Sequence, residues 1–235
     1  MASFPIYRVK RLDLCVTPWC WPFADERRRD IDAHFAKLQR EMPQLWNGRV
    51  LLGHEPHFTE DTFRAEYFET DFASFIAWRD WGFPDTAVFN GFGMGALRSR
   101  DGAYVLGEMA AHTANAGKVY FPAGTPDLND VRDGTVDIAG SVAREVGEET
   151  GLTAIDYQVA DDWDCVDAGP MIALMRGLQS DLDGEALRRR IEGNLAKQET
   201  PELAAIHLMR RQGDITTAVP PYMAAFLAAR LPNTV

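Results

Sequence analysis

A short stretch in the second half of the chain constrains the fold most, because it contains signals that begin, orient and end one helix. Asp137 is a residue type that caps helix N-termini, and Gly151 is typical of the position just past a helix C-terminus. Between them, Ile138, Val142 and Val146 recur every four residues, as the buried stripe of an amphipathic helix does. The sequence therefore predicts a helix between these two caps, packed on a core.

Three carboxylates share another face of this predicted helix. Glu145, Glu148 and Glu149 are spaced i, i+3 and i+4, so their side chains are neighbours. Like charges at this spacing cost about 0.2–0.5 kcal/mol per pair when solvated. Two interpretations are open. The acids form a solvated face, or they bind a hard divalent cation such as Mg²⁺, which takes oxygen ligands and brings substrate phosphates with it.

The whole segment resembles the second half of the Nudix signature, G-x5-E-x7-R-E-U-x-E-E-x-G-U, in which U is a bulky apolar residue. The fixed positions of that half are filled by Arg144, Glu145, Val146, Glu148, Glu149, Gly151 and Leu152. The resemblance covers about residues 92–210 and implies a metal-dependent hydrolase of the Nudix superfamily.

The first half of the signature departs from the family pattern. Phe121-Pro122-Ala123-Gly124 looks like the family's F-P-G-G strand end, so Gly124 corresponds to the opening glycine. Gly124 and Arg144 are 20 positions apart rather than 14, which means that six residues are inserted. The turn-forming residues 125–134 predict a loop. Val136 occupies the family's glutamate position.

That missing glutamate orients the arginine in the family, and Asp133 or Asp137 is expected to replace it. The resemblance also implies that Glu145, Glu148 and Glu149 bind one or more Mg²⁺ or Mn²⁺ ions, with the Gly124 carbonyl nearby. Arg144 is expected to orient a carboxylate rather than to contact substrate. Arg144 and Glu148 are the candidate catalytic residues of the helix.

A catalytic base is expected from a later loop, as in many Nudix enzymes. Residues 198–202 lie between a predicted helix and a predicted strand, where a loop can lean over a site. We favour Glu202 as the base and hold Glu199 in reserve. The alternative is that both are solvated loop acids.

Composition and charge limit the partners. The net charge of −11 argues against a broad nucleic-acid-binding surface, and an anionic substrate would need a metal or a local basic patch to approach. No apolar run approaches the ~20 residues of a membrane span, and no targeting segment is convincing. A cytoplasmic enzyme is expected, with a small-molecule substrate and a homodimer as one option.

The three cysteines, Cys15, Cys20 and Cys165, predict no disulfide framework. A zinc site at Cys15 and Cys20 with His54 and His57 is less favoured than scattered loop residues.

The N-terminal part reads as strands and helices rich in aromatic residues. The predicted elements are a strand over residues 6–16, a helix over 25–42 capped by Asp25, a hairpin of strands 49–52 and 63–68, and a helix that begins at Thr70-Asp71. Aromatic residues 67–83 are interpreted as a packed core, with a base-stacking platform as the alternative.

Two further resemblances bear on substrate. Asn47-Gly48 and Thr70-Asp71-Phe72 are loosely similar to a Nudix branch that hydrolyses UDP-glucose. Residues 117–124 look like the G-x3-F-P-G-G end of the coenzyme A diphosphatase motif, but residues 109–116 lack the arginines that this motif needs upstream.

Strands mixed with a few helices predict a layered α/β fold. The resemblance makes it a Nudix-type α/β/α sandwich with a mixed sheet. Residues 1–90 are expected to be an N-terminal elaboration packed on a catalytic domain of residues 91–235. The expected reaction splits the diphosphate of a nucleoside-diphosphate-linked compound, a UDP-sugar first, into a nucleoside monophosphate and a phosphorylated second product.

Three alternatives to this function are open. One is a diphosphatase acting on coenzyme A or another adenosine diphosphate compound. Another is a catalytically silent Nudix-like module that binds a nucleotide, which Val136 favours and the intact glutamates disfavour. A structural interaction protein rests only on the aromatic N-terminal part.

Overall fold

The computed structural model describes residues 4–233. Its helices are α1 (Pro22–Glu26), α2 (Arg28–Glu41), α3 (Phe72–Asp80), α4 (Ile138–Thr150), α5 (Gly184–Leu195) and α6 (Pro221–Arg230). Its strands are β1 (Ile6–Val9), β2 (Arg11–Val16), β3 (Arg49–Phe58), β4 (Thr62–Asp71), β5 (Val88–Arg98), β6 (Tyr104–Met109), β7 (Val119–Tyr120), β8 (Ala123–Gly124), β9 (Val131–Arg132), β10 (Thr135–Val136), β11 (Gln158–Asp167), β12 (Met171–Gln179) and β13 (Leu203–Met209). No helix among the described residues is long and apolar enough to cross a membrane.

The strands form one mixed sheet in the order β1-β11-β12-β5-β3-β4-β2-β10-β9, to which β6, β7, β8 and β13 are added through β5 and β6. Strand β5 is central, because its first residues pair with β3 and its length from Asn90 to Arg98 pairs with β12. The β5–β12 and β2–β4 pairs are parallel, and the β3–β4 and β11–β12 pairs are antiparallel. The predicted mixed sheet is therefore confirmed.

Helices cover both faces of β5. On one face, a Cβ atom at Gly93 would lie 2.6 Å from a methyl group of Val142, so α4 approaches the strand more closely than most side chains would allow. On the opposite face, the ring of Phe92 lies 5.9 Å from that of Tyr222 in α6. Successive strand residues point to opposite faces. The predicted α/β/α sandwich is confirmed.

The aromatic N-terminal residues form a second hydrophobic cluster between α1, α2 and α3 and one face of the β3–β4 hairpin. Phe68 and Trp78 are fully buried there, as the packed-core interpretation predicted. Phe75 is also buried in this cluster and Phe72 packs against it, and both line a cavity. The cluster thus contributes to the core and also to a surface that faces the rest of the molecule.

Two sequence predictions in this region were wrong. Residues 6–16 are two strands, because the backbone N–H groups of Lys10 and Arg11 donate to the Asp61 carbonyl and interrupt the ladder. Strand β1 then pairs with β11, and β2 pairs with β4.

Asp25 does not cap a helix over 25–42. It lies inside α1, since Pro22 is well suited to the first turn, and a second helix begins after Arg27.

The inserted residues are more ordered than the predicted loop. They contain a 3₁₀ turn, Leu128–Asp130, and a short hairpin whose strands, β9 and β10, have two residues each. Asp133 and Gly134 make the hairpin turn at positive φ angles of 50° and 77°. Strand β10 pairs with β2 through Thr135 and Cys15. The insertion is therefore attached to the sheet edge instead of extending freely into solvent.

Candidate active site

The acidic helix is built as the sequence predicts. The Gly140 N–H donates to the Asp137 carboxylate at 2.9 Å, and Gly151 ends the helix in the left-handed conformation at φ 69°. Ile138, Val142 and Val146 are buried against the sheet. This packing fixes the rotation of α4 about its axis, and so decides which way its carboxylates point.

Two of those carboxylates lie against the end of the F-P-A-G segment. The Ala123 N–H donates to Oε1 of Glu149 at 3.2 Å, and Glu149 is only 4% exposed. A Cβ atom at Gly124 would collide with the Glu145 carboxylate, so a side chain at position 124 would displace it. Gly124 is therefore required for the close approach of backbone and carboxylate that the site shows.

Arg144 is held by an aspartate that the sequence did not identify. Its guanidinium donates to both carboxylate oxygens of Asp130 at 3.2 Å, to Glu145 at 2.8 Å and to Glu148 at 3.4 Å. Asp130 is buried, and Ser141 also donates to it. Burial lowers the pKa of Arg144, but the charge of Glu145 and the hydrogen bond to Asp130 outweigh burial and raise it above the usual range.

The prediction that Asp133 or Asp137 replaces the family glutamate was wrong. Asp133 forms the hairpin turn, and Asp137 caps α4. Val136 is buried in the hydrophobic core. Asp130 reaches Arg144 because the insertion folds back over the helix. A local signal existed in Asp127 and Asp130, which form the capping box of the 3₁₀ turn. That signal identifies a turn, but it does not show that the turn contacts Arg144.

The surroundings of Glu145 and Glu149 raise the pKa values of both carboxylates. The pKa of Glu149 is raised to about 8, chiefly by burial; the hydrogen bond from the Ala123 N–H lowers it, and the charges of Glu145, Glu202 and Glu148 raise it. Burial also raises the pKa of Glu145, which Arg144 partly offsets. The helix thus places ionisable groups where their charged forms are disfavoured, a feature typical of functional sites.

The later loop contains the two glutamates predicted as candidate bases, Glu199 and Glu202. The negative charge of Glu202 is among the causes that raise the pKa of both Glu145 and Glu149. The Glu202 carbonyl accepts from the Ala110 N–H at 2.8 Å, which anchors the backbone beside β6. Glu199 and Glu202 are both exposed. The charge of Glu202 acts on the helix carboxylates, whereas that of Glu199 is not among the causes of their raised pKa values.

The carboxylates of Glu145, Glu148 and Glu149 are suitable ligands for a hard divalent cation. Their side chains do not converge on a single point in this structure. Within residues 4–233, no three His, Cys, Asp or Glu side chains lie close enough together to hold an ion. Glu148 points outward, with its side chain 62% exposed and paired with Arg144. Glu145 and Glu149 lie beside Gly124, and their carboxylate oxygens are of the type that Mg²⁺ and Mn²⁺ prefer as ligands.

A cavity of about 370 Å³ opens beside Gly124. Its walls come from α3, β5, the residues around Gly124 and the start of α6, including Asn90, Phe92, Thr125 and Tyr222. A second cavity, of about 330 Å³, shares Phe72, Ala114 and Thr125 with the first. Neither cavity was predicted, because their walls join segments that are distant in the chain.

Comparison with known proteins gives structural likenesses only. No family model matches the chain, and no curated protein matches it in sequence. Its structure is similar to that of RenU, a Nudix hydrolase from M. smegmatis, with a TM-score of 0.39 and 17% identity over 59% of this chain and 83% of that one. The chain is similar to Nudix hydrolases.

Two further solved structures are similar to the chain. The MutT protein from Methanosarcina mazei Go1 gives a TM-score of 0.39 at 19% identity, over 60% of this chain and 91% of that one. Tm1382, a putative Nudix hydrolase, gives a TM-score of 0.43 at 10% identity, over 77% of this chain and 98% of that one.

Proposed function

We propose that the protein is a Nudix hydrolase that uses Mg²⁺ or Mn²⁺ to cleave the diphosphate linkage of a nucleoside-diphosphate-linked compound. The products would be a nucleoside monophosphate and a phosphorylated second product. One observation carries the proposal. Glu149 is buried beside Gly124 among other carboxylates, and its pKa is raised to about 8. A structural role alone does not explain such an unfavourable arrangement, whereas a cation site does.

The residues of the chain would divide the work as follows. Glu145 and Glu149 would hold the metal beside the Gly124 carbonyl, and Glu148 would join them by leaving its contact of 3.4 Å with Arg144. A bound divalent ion supplies positive charge to the two phosphates. Arg144 would keep the Glu145 carboxylate oriented, since it is itself fixed by Asp130. In this proposal Asp130 takes over the role that Val136 cannot perform.

The base is proposed to be Glu202. A general base must lie within hydrogen-bond reach of the water that it activates, directly or through one further water. Glu202 is close enough to Glu145 and Glu149 to raise their pKa values, which supports its placement at the reaction centre. Glu199 stays the reserve candidate.

The substrate is proposed to be a UDP-sugar. The N-terminal residues 1–90 would provide selectivity for it, and they contribute Phe72, Phe75 and Arg79 to the cavity beside Gly124. The proposed substrate has one group on each side of its diphosphate, a nucleoside and a sugar. The two adjoining cavities offer room for both groups. The missing upstream arginines disfavour coenzyme A.

The test compares kcat/KM for UDP-sugars, ADP-ribose, coenzyme A and nucleoside triphosphates in the presence of Mg²⁺. We expect a UDP-sugar to be preferred, and reaction in ¹⁸O-labelled water to place the label in one product only. A coenzyme A value more than about tenfold above every nucleotide sugar, or ~1.4 kcal/mol, would overturn the sugar assignment. Absence of turnover on every diphosphate would indicate a silent binding module.

Two glutamate substitutions test the base. The Glu199→Gln, Glu202→Gln double variant should lose about 10²–10⁴-fold in kcat, because a positioned base contributes that much. The single variants then separate the candidates, and Glu202→Gln is expected to account for most of the loss. Full activity of the double variant would remove this loop from the mechanism.

A further inference from the structure

The cavity beside Gly124 has a wall that combines several aromatic side chains with a few polar ones, which are Arg79, Asn90, Asn115, Lys118 and Thr125. Phe72, Phe75, Phe92 and Tyr222 contribute aromatic surface, and Asn90 lies among them on β5. A volume of about 370 Å³ falls in the range of small-molecule sites, which are apolar with a few polar groups that orient the ligand.

Asn90 is the unusual member of this wall. It is 8% exposed, and its backbone N–H donates to the Pro170 carbonyl at 2.8 Å. Its Nδ2 donates to Oγ1 of Thr125 at 3.2 Å, but its Oδ1 has no hydrogen-bond partner within residues 4–233. Buried side-chain polar atoms nearly always have a partner, so an orphaned acceptor in a cavity wall points to a ligand that donates.

The position of Asn90 relative to the proposed reaction centre limits what that ligand can be. Thr125, which holds its amide, directly follows Gly124 in the chain and lines the same cavity. A group bound at Asn90 would therefore belong to the part of the substrate next to the diphosphate. Aromatic walls favour a flat ring, because ring faces pack offset or edge-on against aromatic side chains.

We propose that this cavity is a nucleobase subsite in which the Asn90 carboxamide pairs with the imide edge of a uracil ring. Oδ1 accepts from the ring N3–H, and the second N–H of Nδ2 donates to the neighbouring ring carbonyl. The first N–H of Nδ2 stays with Thr125, which makes Thr125 a positioning residue. This inference rests on the proposed function and adds the residue that recognises the base.

The first experiment needs no variant. Binding of UMP and of N3-methyl-UMP to the wild-type protein is measured by calorimetry. Methylation removes the N3–H and leaves the ring, ribose and phosphate in place, so we expect at least about tenfold weaker binding, equivalent to ~1.4 kcal/mol. Equal affinity within about twofold would overturn the assignment.

The second experiment assigns the effect to one side chain. Asn90→Ala should bind UMP about tenfold more weakly and should no longer distinguish the methylated nucleotide. Asn115→Ala is the matched control, because Asn115 lines the same cavity but its amide already donates to the Tyr120 hydroxyl at 3.1 Å. It should keep the discrimination. If Asn90→Ala also keeps it, Asn90 does not read the base. If Asn90→Ala fails to fold, the wild-type comparison decides.

The two proposals can fail separately. Discrimination between UMP and its methylated form, without hydrolysis of any diphosphate, would support the base subsite and overturn the enzymatic function. Hydrolysis of diphosphates with no measurable binding of UMP would support the enzyme and overturn the uracil subsite.

Discussion

The helices α3 and α4 each carry a carboxylate in a buried or partly buried position, with opposite electrostatic outcomes. Asp71 precedes α3, where it accepts from the Ser74 N–H at 3.0 Å and pairs with Arg28 at 2.9 Å. Glu149 lies in the last turn of α4, among other acids. A helix dipole favours negative charge at the N-terminus and disfavours it at the C-terminus. The surroundings of Asp71 therefore favour its negative charge, and those of Glu149 disfavour it.

The pKa values express the same difference. Burial raises the pKa of Asp71, but hydrogen bonds from Arg28 and Ser74 and the charge of Arg28 bring it below its ordinary value. The pKa of Glu149 is raised to about 8 by burial and by the charges of Glu145, Glu202 and Glu148, against the lowering effect of the Ala123 N–H. Ionised Asp71 therefore stabilises the folded protein, whereas ionised Glu149 destabilises it when no cation is bound.

The largest effect is expected from Glu149→Gln on turnover. Loss of a metal ligand should remove several kcal/mol of transition-state stabilisation, which lowers kcat/KM by about 10²-fold or more. Mn²⁺ affinity, measured by electron paramagnetic resonance, should fall in the same variant. Glu192→Gln, on the exposed surface of α5, serves as the control. Activity and metal affinity within about threefold of the parent, under ~1 kcal/mol, would show that Glu149 is not a ligand.

The next effect concerns the carboxylate that holds Arg144. Asp130→Asn should lower the free energy of unfolding by about 2 kcal/mol, because it removes the charge of the buried carboxylate that pairs with the partly buried guanidinium of Arg144. Asp133→Asn, in the turn of the same insertion, should change it by less than about 0.5 kcal/mol. Urea unfolding of the two variants measures the difference. A larger loss for Asp133→Asn would return Asp133 to the role that the sequence first assigned to it.

A smaller effect is expected at α3. Asp71→Ala removes a helix cap and the partner of Arg28, and should cost about 1–2 kcal/mol of stability with little change in kcat. Asp32 is the other partner of Arg28, and the Asp32 side chain is 66% exposed. Asp32→Ala should therefore cost less than about 1 kcal/mol. Thermal unfolding of both variants checks the order. Equal losses would mean that the capping interaction contributes nothing measurable.

The remaining effect is the pH dependence of stability, measured with a chelator present. Glu149 has a folded-state pKa of about 8 against an ordinary 4.5, so its contribution is present at low pH and is lost as pH rises from 4.5 to 8. Asp71 has a lowered pKa, so its contribution is present above 3.8 and is lost as pH falls below that value. At pH 8, Glu149→Gln should therefore be more stable than the metal-free parent, and the difference in stability should shrink as pH falls toward 4.5. Identical pH profiles for parent and variant would contradict the raised pKa.

Much of the candidate site was accessible from local patterns. The caps Asp137 and Gly151, the apolar stripe of α4 and the spacing of its glutamates all depend on residues within a few turns of one another. The close position of Gly124 came from the family resemblance, and the contact with Glu145 agrees with it. Local backbone preference and helical periodicity set these features, so the sequence alone was sufficient.

The errors occurred where pairing partners were distant in the chain. An alternating pattern over residues 6–16 indicated strand, but it could not show that β1 joins β11 while β2 joins β4. The family resemblance places Val136 at a glutamate position, but which carboxylate holds Arg144 depended on how the insertion folds. Neighbouring aspartates were the natural candidates, and only the three-dimensional path of the insertion excluded them.

The sequence by itself determined the acidic helix, its caps and its buried face, because these are short-range consequences of residue type and of 3.6-residue periodicity. Only the tertiary structure decided that Asp130 holds Arg144 and that Asn90 meets Thr125 across 35 positions of chain. Contacts of this kind depend on sheet register and on the path of connecting segments, and many sequences with the same local pattern would place those side chains elsewhere.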